Sequence, residues 1–181
     1  MSTREALAVA SCIIAFSGCA SSAPRETPNL GRAASHAEIA GWDISIAPDG
    51  RGLPRGAGTP AEGALVYAQK CLACHGDKGV GGPNDRLAGG HGSLASKTPM
   101  RTVGSYWPYA TTVFDYVRRA MPFAQPLSLA DSEVYAVTAF LLSLNGIIGE
   151  QDVMNSETLP KVKMPNRDNF ILVQPWKPRM P

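Results

Sequence analysis

Cys71-Leu72-Ala73-Cys74-His75 is the stretch on which the reading of this chain turns. Two thiols three positions apart at a helix end can each reach one haem vinyl group and form a thioether. The next residue then faces the iron, and its imidazole can ligate it. The five residues therefore read as a haem c attachment motif, with Cys71 and Cys74 as covalent anchors and His75 as an axial ligand. A zinc site is one rival, but it needs two more ligands and no second cysteine pair is present. A thioredoxin-like redox site needs a βαβ setting, and the elements predicted around this motif are helical.

Upstream, Thr59 can cap a helix, Pro60 fits its first turn, and Glu62 follows three residues after the cap. That helix runs through Leu65, Val66 and Tyr67 to the cysteines, and Gly76 stops it. Residues 76–104 are glycine-rich without a sustained apolar period, which predicts a long loop. A second helix is expected from Tyr109 to Ala120. Val113, Phe114 and Val117 give it an apolar stripe, and Arg118 and Arg119 suit its negative end. A third starts at Ser128 with Asp131 as the capping-box acid. Val134, Val137, Phe140, Leu141 and Leu144 follow helical spacing, and Asn145-Gly146 ends it. The expected fold is all-α: a class I cytochrome c domain of three main helices around one haem, with long ordered loops.

The second axial ligand is sought among His36, His91, Met100, Met121, Met154, Met164 and Met180. Met121 lies between two predicted helices, just before the last, where small c-type cytochromes carry their distal loop. Pro122 keeps a helix from running on through it. A thioether also favours reduced iron, as electron transfer requires. Met121 is therefore the expected ligand. The carbonyl of Pro83 is expected to accept the His75 Nδ1–H bond. Trp107 and Tyr109, with Tyr106 and Arg86, are candidates for the haem pocket or the propionates. Arg118 and Arg119 read as a solvated helix end, and Phe140 and Leu141 as packing on haem or on the first helix.

A chain of 181 residues suits one domain with extensions. Charged residues are only 18%, beside 18 Gly and 15 Pro, which suggests a small core wrapped by loops. A net charge of +2 without a lysine or arginine run excludes the electrostatic footprint of a nucleic-acid binder. The N-terminus reads as an export signal: Arg4 precedes the apolar stretch from Ala6 to Phe16, too short to span a bilayer. Phe16-Ser17-Gly18-Cys19-Ala20 resembles a bacterial lipobox, so residues 1–18 are expected to be removed and Cys19 lipidated. Ordinary signal cleavage after Ala20 is the alternative. Cys12 would be lost with the signal, leaving no cysteine for a structural disulfide. Residues 19–40 read as a linker and 41–181 as the domain. Trp42, Ile44 and Ile46 alternate, suggesting a short extended cover for the core. The Pro-rich final stretch is expected to wrap the surface as extended chain.

The stretch from Gly104 through Tyr106-Trp107-Pro108-Tyr109 to Ala120-Met121-Pro122 resembles the cytochrome subunits of bacterial sulfite dehydrogenases. It is equally similar to the cytochrome component of the sulfur dehydrogenase in the thiosulfate-oxidising multienzyme system. Trp42-Asp43-Ile44, residues 135–146 and Met164-Pro165-Asn166-Arg167 extend the likeness over about residues 41–170. The resemblance implies a molybdenum-containing dehydrogenase subunit as partner. Single electrons would pass from it to this haem and on to a downstream cytochrome c or an oxidase, in the periplasm. It also implies Cys71 and Cys74 as anchors and His75 and Met121 as ligands. Under that reading the chain makes no bonds itself; it sets potential, orientation and docking. A sulfite dehydrogenase is the expected partner; the sulfur dehydrogenase of the thiosulfate-oxidising system, or another periplasmic dehydrogenase, is the alternative. A haem peroxidase or sensor would instead leave an axial position open.

Overall fold

Thr59 opens the first long helix of the domain as the sequence predicts. Its hydroxyl accepts the Glu62 backbone N–H at 3.3 Å, and Glu62 Oε2 accepts the Thr59 N–H at 2.8 Å. This reciprocal pair satisfies two donors that a helix start would leave free. In the computed structural model, which describes residues 30–171, the contacts divide the chain between Trp42 and Asp43.

In the first unit, α1 (His36–Trp42) has no buried residue. Ser35 caps it: the Ser35 hydroxyl accepts the Glu38 N–H at 3.3 Å, and Glu38 Oε2 accepts the Ser35 N–H at 2.8 Å. Arg32 pairs with Glu38 and, with Ser35, holds its carboxyl down at about 2. Residues 36–42 are thus helical, and Trp42 is 89% exposed at the end of that helix. The alternation expected from Trp42 survives only in Ile44, half-buried, and Ile46, buried.

In the second unit, α2 (Pro60–Lys70) leads through Cys71 into the single turn α3 (Leu72–His75), and Gly76 ends it. α4 (Ala110–Ala120) and α5 (Asp131–Leu144) follow. α5 starts three residues later than predicted. Its first residue follows Ala130, whose N–H is accepted by Glu133 at 2.8 Å, so the capping acid is Glu133 and not Asp131. That bond, with Lys70 close by, holds the Glu133 carboxyl below its usual range. α5 ends at Asn145, and Gly146 takes the left-handed φ of +64° expected after a helix.

The core lies among α2, α4 and α5. Phe114 and Tyr135 meet with ring centroids 4.5 Å apart, and both are fully buried. The lead-in at residues 43–56 is stitched to these helices. Ile46 N–H donates to Asp115 Oδ1 at 3.1 Å, Thr111 Oγ1 to the Pro48 carbonyl at 3.0 Å, and Tyr135 Oη to the Pro54 carbonyl at 2.9 Å. Arg119 is exposed, as a solvated helix end should be, while Arg118 is half-buried; each has an acidic partner. Arg118 pairs with Asp131 at 3.1 Å, and Arg119 pairs with Asp115 one turn back.

The chain after α5 does more than cover the surface. β2 (Met154–Asn155) pairs antiparallel with β1 (Ala57–Gly58), with Gly58 opposite Met154. Met154, Leu159 and Met164 are all buried in the core. Among the described residues no helix is long and apolar enough to cross a membrane. The signal, lipobox and Met180 readings lie outside the described residues.

Candidate functional site

α3 is fixed by its own backbone. The His75 N–H donates to the Cys71 carbonyl at 3.0 Å and the Gly76 N–H to Leu72 at 2.9 Å. The loop beyond then folds back onto the motif. The Gly81 N–H donates to the His75 carbonyl at 3.0 Å, and the Asn84 N–H to the Cys74 carbonyl at 3.0 Å. Gly76, at φ +74°, is required here, since a Cβ would lie 2.2 Å from the Gly81 carbonyl oxygen.

His75 Nδ1 lies 2.8 Å from the carbonyl oxygen of Asp85. A carbonyl can only accept, so Nδ1 carries a proton, and in the neutral ring Nε2 keeps the lone pair. That tautomer is the one an iron ligand needs. The acceptor is two residues beyond Pro83, which is exposed and does not take the part expected of it.

Cys71 is half-buried and Cys74 exposed, and neither is in a disulfide. Burial pushes the Cys71 thiol up to about 11, against the opposing pull of Lys70. A redox or nucleophilic Cys-x-x-Cys would be tuned the other way, towards thiolate. Among the described residues no three or more of His, Cys, Asp or Glu gather as a metal-ion site.

Met121 caps the C-terminus of α4, with its N–H on the Val117 carbonyl at 3.0 Å, and its bond to Pro122 is cis. Cys71, Val66, Leu87, Trp107, Met121, Phe140 and Leu144 all pack against the core yet stay only partly buried. Trp107 meets Tyr116 edge-on at 5.5 Å. Tyr109 precedes α4, and the Arg167 guanidinium lies 4.9 Å from its ring centre. Thus Cys71, Trp107 and Met121 share the margin of one core, with His75 adjoining. The donor set fits haem c: two free thiols, an imidazole held through Nδ1, a thioether, and an apolar rim.

Met154 and Met164 are core residues; Met100, His91 and His36 are exposed. Met100 Sδ sits 3.8 Å from Arg86 Nη1. A cleft of about 670 Å³, lined by His91, Arg101, Tyr106, Asn166 and Phe170 among others, holds none of the motif residues.

Three groups not expected from sequence also shape the site. Besides the Asp85 carbonyl, the Tyr67 hydroxyl donates to the Gly76 carbonyl at 2.8 Å. Asn145 braces the loop behind the motif: it accepts the Gly89 N–H at 3.0 Å and donates to the Leu87 carbonyl at 3.2 Å.

Residues 58–141, from β1 into α5, match the family model described as cytochrome c oxidase, cbb3-type, subunit III. A solved structure, the sulfane dehydrogenase SoxCD from Paracoccus pantotrophus, is 44% identical with a TM-score of 0.76. The likeness covers 80% of this chain and 72% of that one. The chain belongs to the c-type cytochromes of sulfur oxidation. The cytochrome is also 28% identical to a thiosulfate dehydrogenase of Stutzerimonas stutzeri (strain A1501), over 56% of its own length. It spans only 36% of that relative. Membership brings haem c as the cofactor and electron transfer in sulfur oxidation as the function.

Proposed function

We propose that this cytochrome holds one haem, bonded through Cys71 and Cys74, with His75 and Met121 as axial ligands. The observation that carries the reading is the His75–Asp85 bond beside two unpaired thiols. Haem c bound there supplies a one-electron ferrous/ferric couple. The Asp85 carbonyl orients the His75 ring and strengthens its donor nitrogen. A thioether from Met121 would disfavour exogenous ligands at the iron, which suits a carrier better than a peroxidase or sensor. Trp107 and Tyr109 would border the haem, and Pro83 lies exposed in the loop after His75. Mass spectrometry of the mature protein tests the attachment: one added haem is expected, and none after Cys71→Ala/Cys74→Ala. An unmodified wild type would overturn it.

The electron donor we propose is a molybdenum-containing dehydrogenase subunit that oxidises a sulfur compound, and the acceptor a downstream cytochrome c or an oxidase. Two donors are in view. The Tyr106–Tyr109 and Met164–Arg167 segments resemble sulfite dehydrogenase cytochromes as well as those of the sulfur dehydrogenase. The name of the 44% identical structure favours a sulfane dehydrogenase. The complex isolated gently from its source should contain molybdenum in proportion to haem. Haem without molybdenum, with no large subunit attached, would shift the reading to a free carrier serving another dehydrogenase.

We also propose a periplasmic location, with Cys19 lipidated and anchoring the protein to a membrane. Cys19→Ser should release it to the soluble periplasmic fraction. A wild type already found there in full would contradict the anchor.

A further inference from the structure

We infer that Tyr67 is a positioning residue for His75, acting through the carbonyl of Gly76. The inference rests on the reading of His75 as an iron ligand.

The Tyr67 side chain is 3% exposed, and its ring meets Phe140 at 5.2 Å. Gly63, one turn earlier on α2, lies directly against the Ala136 backbone of α5, so the place where the two helices meet is set. The phenol hydroxyl therefore has little freedom. It donates to Gly76, the residue immediately after His75, at 2.8 Å.

Among the described residues, no other side chain donates to a carbonyl of residues 76–82. The same Gly76 carbonyl accepts the Gly79 N–H, but at 3.3 Å. The Tyr67 bond is thus the stronger hold on the point where the loop leaves the motif. That loop returns through Gly81 to the His75 carbonyl and through Asn84 to the Cys74 carbonyl. It then presents the Asp85 carbonyl to His75 Nδ1. The rigid helix pair is linked in this way to the hydrogen bond that sets the ring. Removing the hydroxyl leaves the packing of the ring intact and relaxes the loop. The Nδ1–H bond then lengthens, and the imidazole becomes a weaker donor. A weaker donor stabilises ferric iron less, so the potential rises.

The test is Tyr67→Phe in the full, haem-loaded protein. Covalent haem and helix content should be retained while the midpoint potential shifts upward. In a Met121→Ala background the reduced iron has one protein axial ligand. There Tyr67→Phe should lower the iron–histidine stretching frequency seen by resonance Raman. In the ferrous wild type, which is diamagnetic, the Tyr67 hydroxyl proton should exchange slowly by NMR, a readout that needs no variant. A stability loss with potential and stretching frequency unchanged would make Tyr67 a packing residue only and overturn the inference. A hydroxyl proton exchanging at the free rate would do the same. Absence of covalent haem in the wild type would instead remove the reading beneath it.

Discussion

Gly63 meets Ala136 so closely that a Cβ on Gly63 would lie 1.9 Å from the Ala136 carbonyl oxygen. α2 carries Tyr67 and leads into the cysteines, so this contact sets where the motif sits relative to α5. Gly63→Ala should gain about 1 kcal/mol of helix propensity. The clash is with backbone and cannot be relieved by a rotamer change. Overpacking costs about 1–3 kcal/mol and sometimes more, so the net sign is destabilising. Urea unfolding of the haem-loaded protein checks it; a midpoint equal to wild type would mean the helices separate at little cost.

Asn145 ties the end of α5 to the loop behind His75 and is 6% exposed. Asn145→Leu removes the acceptor of the Gly89 N–H, while the Leu87 carbonyl keeps the Val103 N–H at 3.1 Å. The expected loss is that of a hydrogen bond at a part-buried site, about 1 kcal/mol. Faster amide exchange at Gly89 should accompany it. Unchanged exchange there would show that another group takes over.

Thr138 is fully buried on α5, and its hydroxyl has no hydrogen-bond partner. Thr138→Val keeps the shape and removes the unpaired polar group. Stability should rise, by an amount on the order of 1 kcal/mol. A thermal unfolding midpoint below wild type would mean that the hydroxyl is satisfied in solution, for instance by a buried water.

Met121→Ala should keep covalent haem, lower the midpoint potential and let carbon monoxide bind the reduced protein, which the wild type should resist at neutral pH. The thioether favours reduced iron, which gives the direction of the shift. A variant with unchanged spectrum and potential would move the second ligand elsewhere. Rapid, tight carbon monoxide binding by native protein would sink the electron-transfer reading.

Much of the fold is legible because its signals are local. Thr59-Pro60-Ala61-Glu62 announces α2, and the structure contains both halves of that capping box. The start of α5 misleads because Ser128 and Asp131 satisfy the same pattern that Ala130 and Glu133 fulfil. Ala130 offers no side-chain acceptor, so only the Glu133 half forms. α1, seven exposed residues, carries no apolar period to read. In the tail, Met154, Leu159 and Met164 reach the core from irregular chain, and no periodicity marks them.

The candidate site divides the same way. Cys71, Cys74 and His75 declare themselves by residue type and spacing. The Asp85 carbonyl does not, because every residue has one and its use depends on how the loop folds. Pro83 is a near miss for that reason. Tyr67 reads as an apolar helix residue, and only the fold turns its hydroxyl towards Gly76.

We propose that this haem receives its electrons from a sulfur compound through a partner dehydrogenase. The most direct test is the absorbance of the haem in the gently isolated complex, after adding sulfite in one sample and a sulfane-sulfur substrate in another. Fast reduction by one of them, lost when the molybdenum subunit is removed, is the predicted result and names the donor. No reduction by either, with the complex intact and the haem still reducible by dithionite, would contradict it.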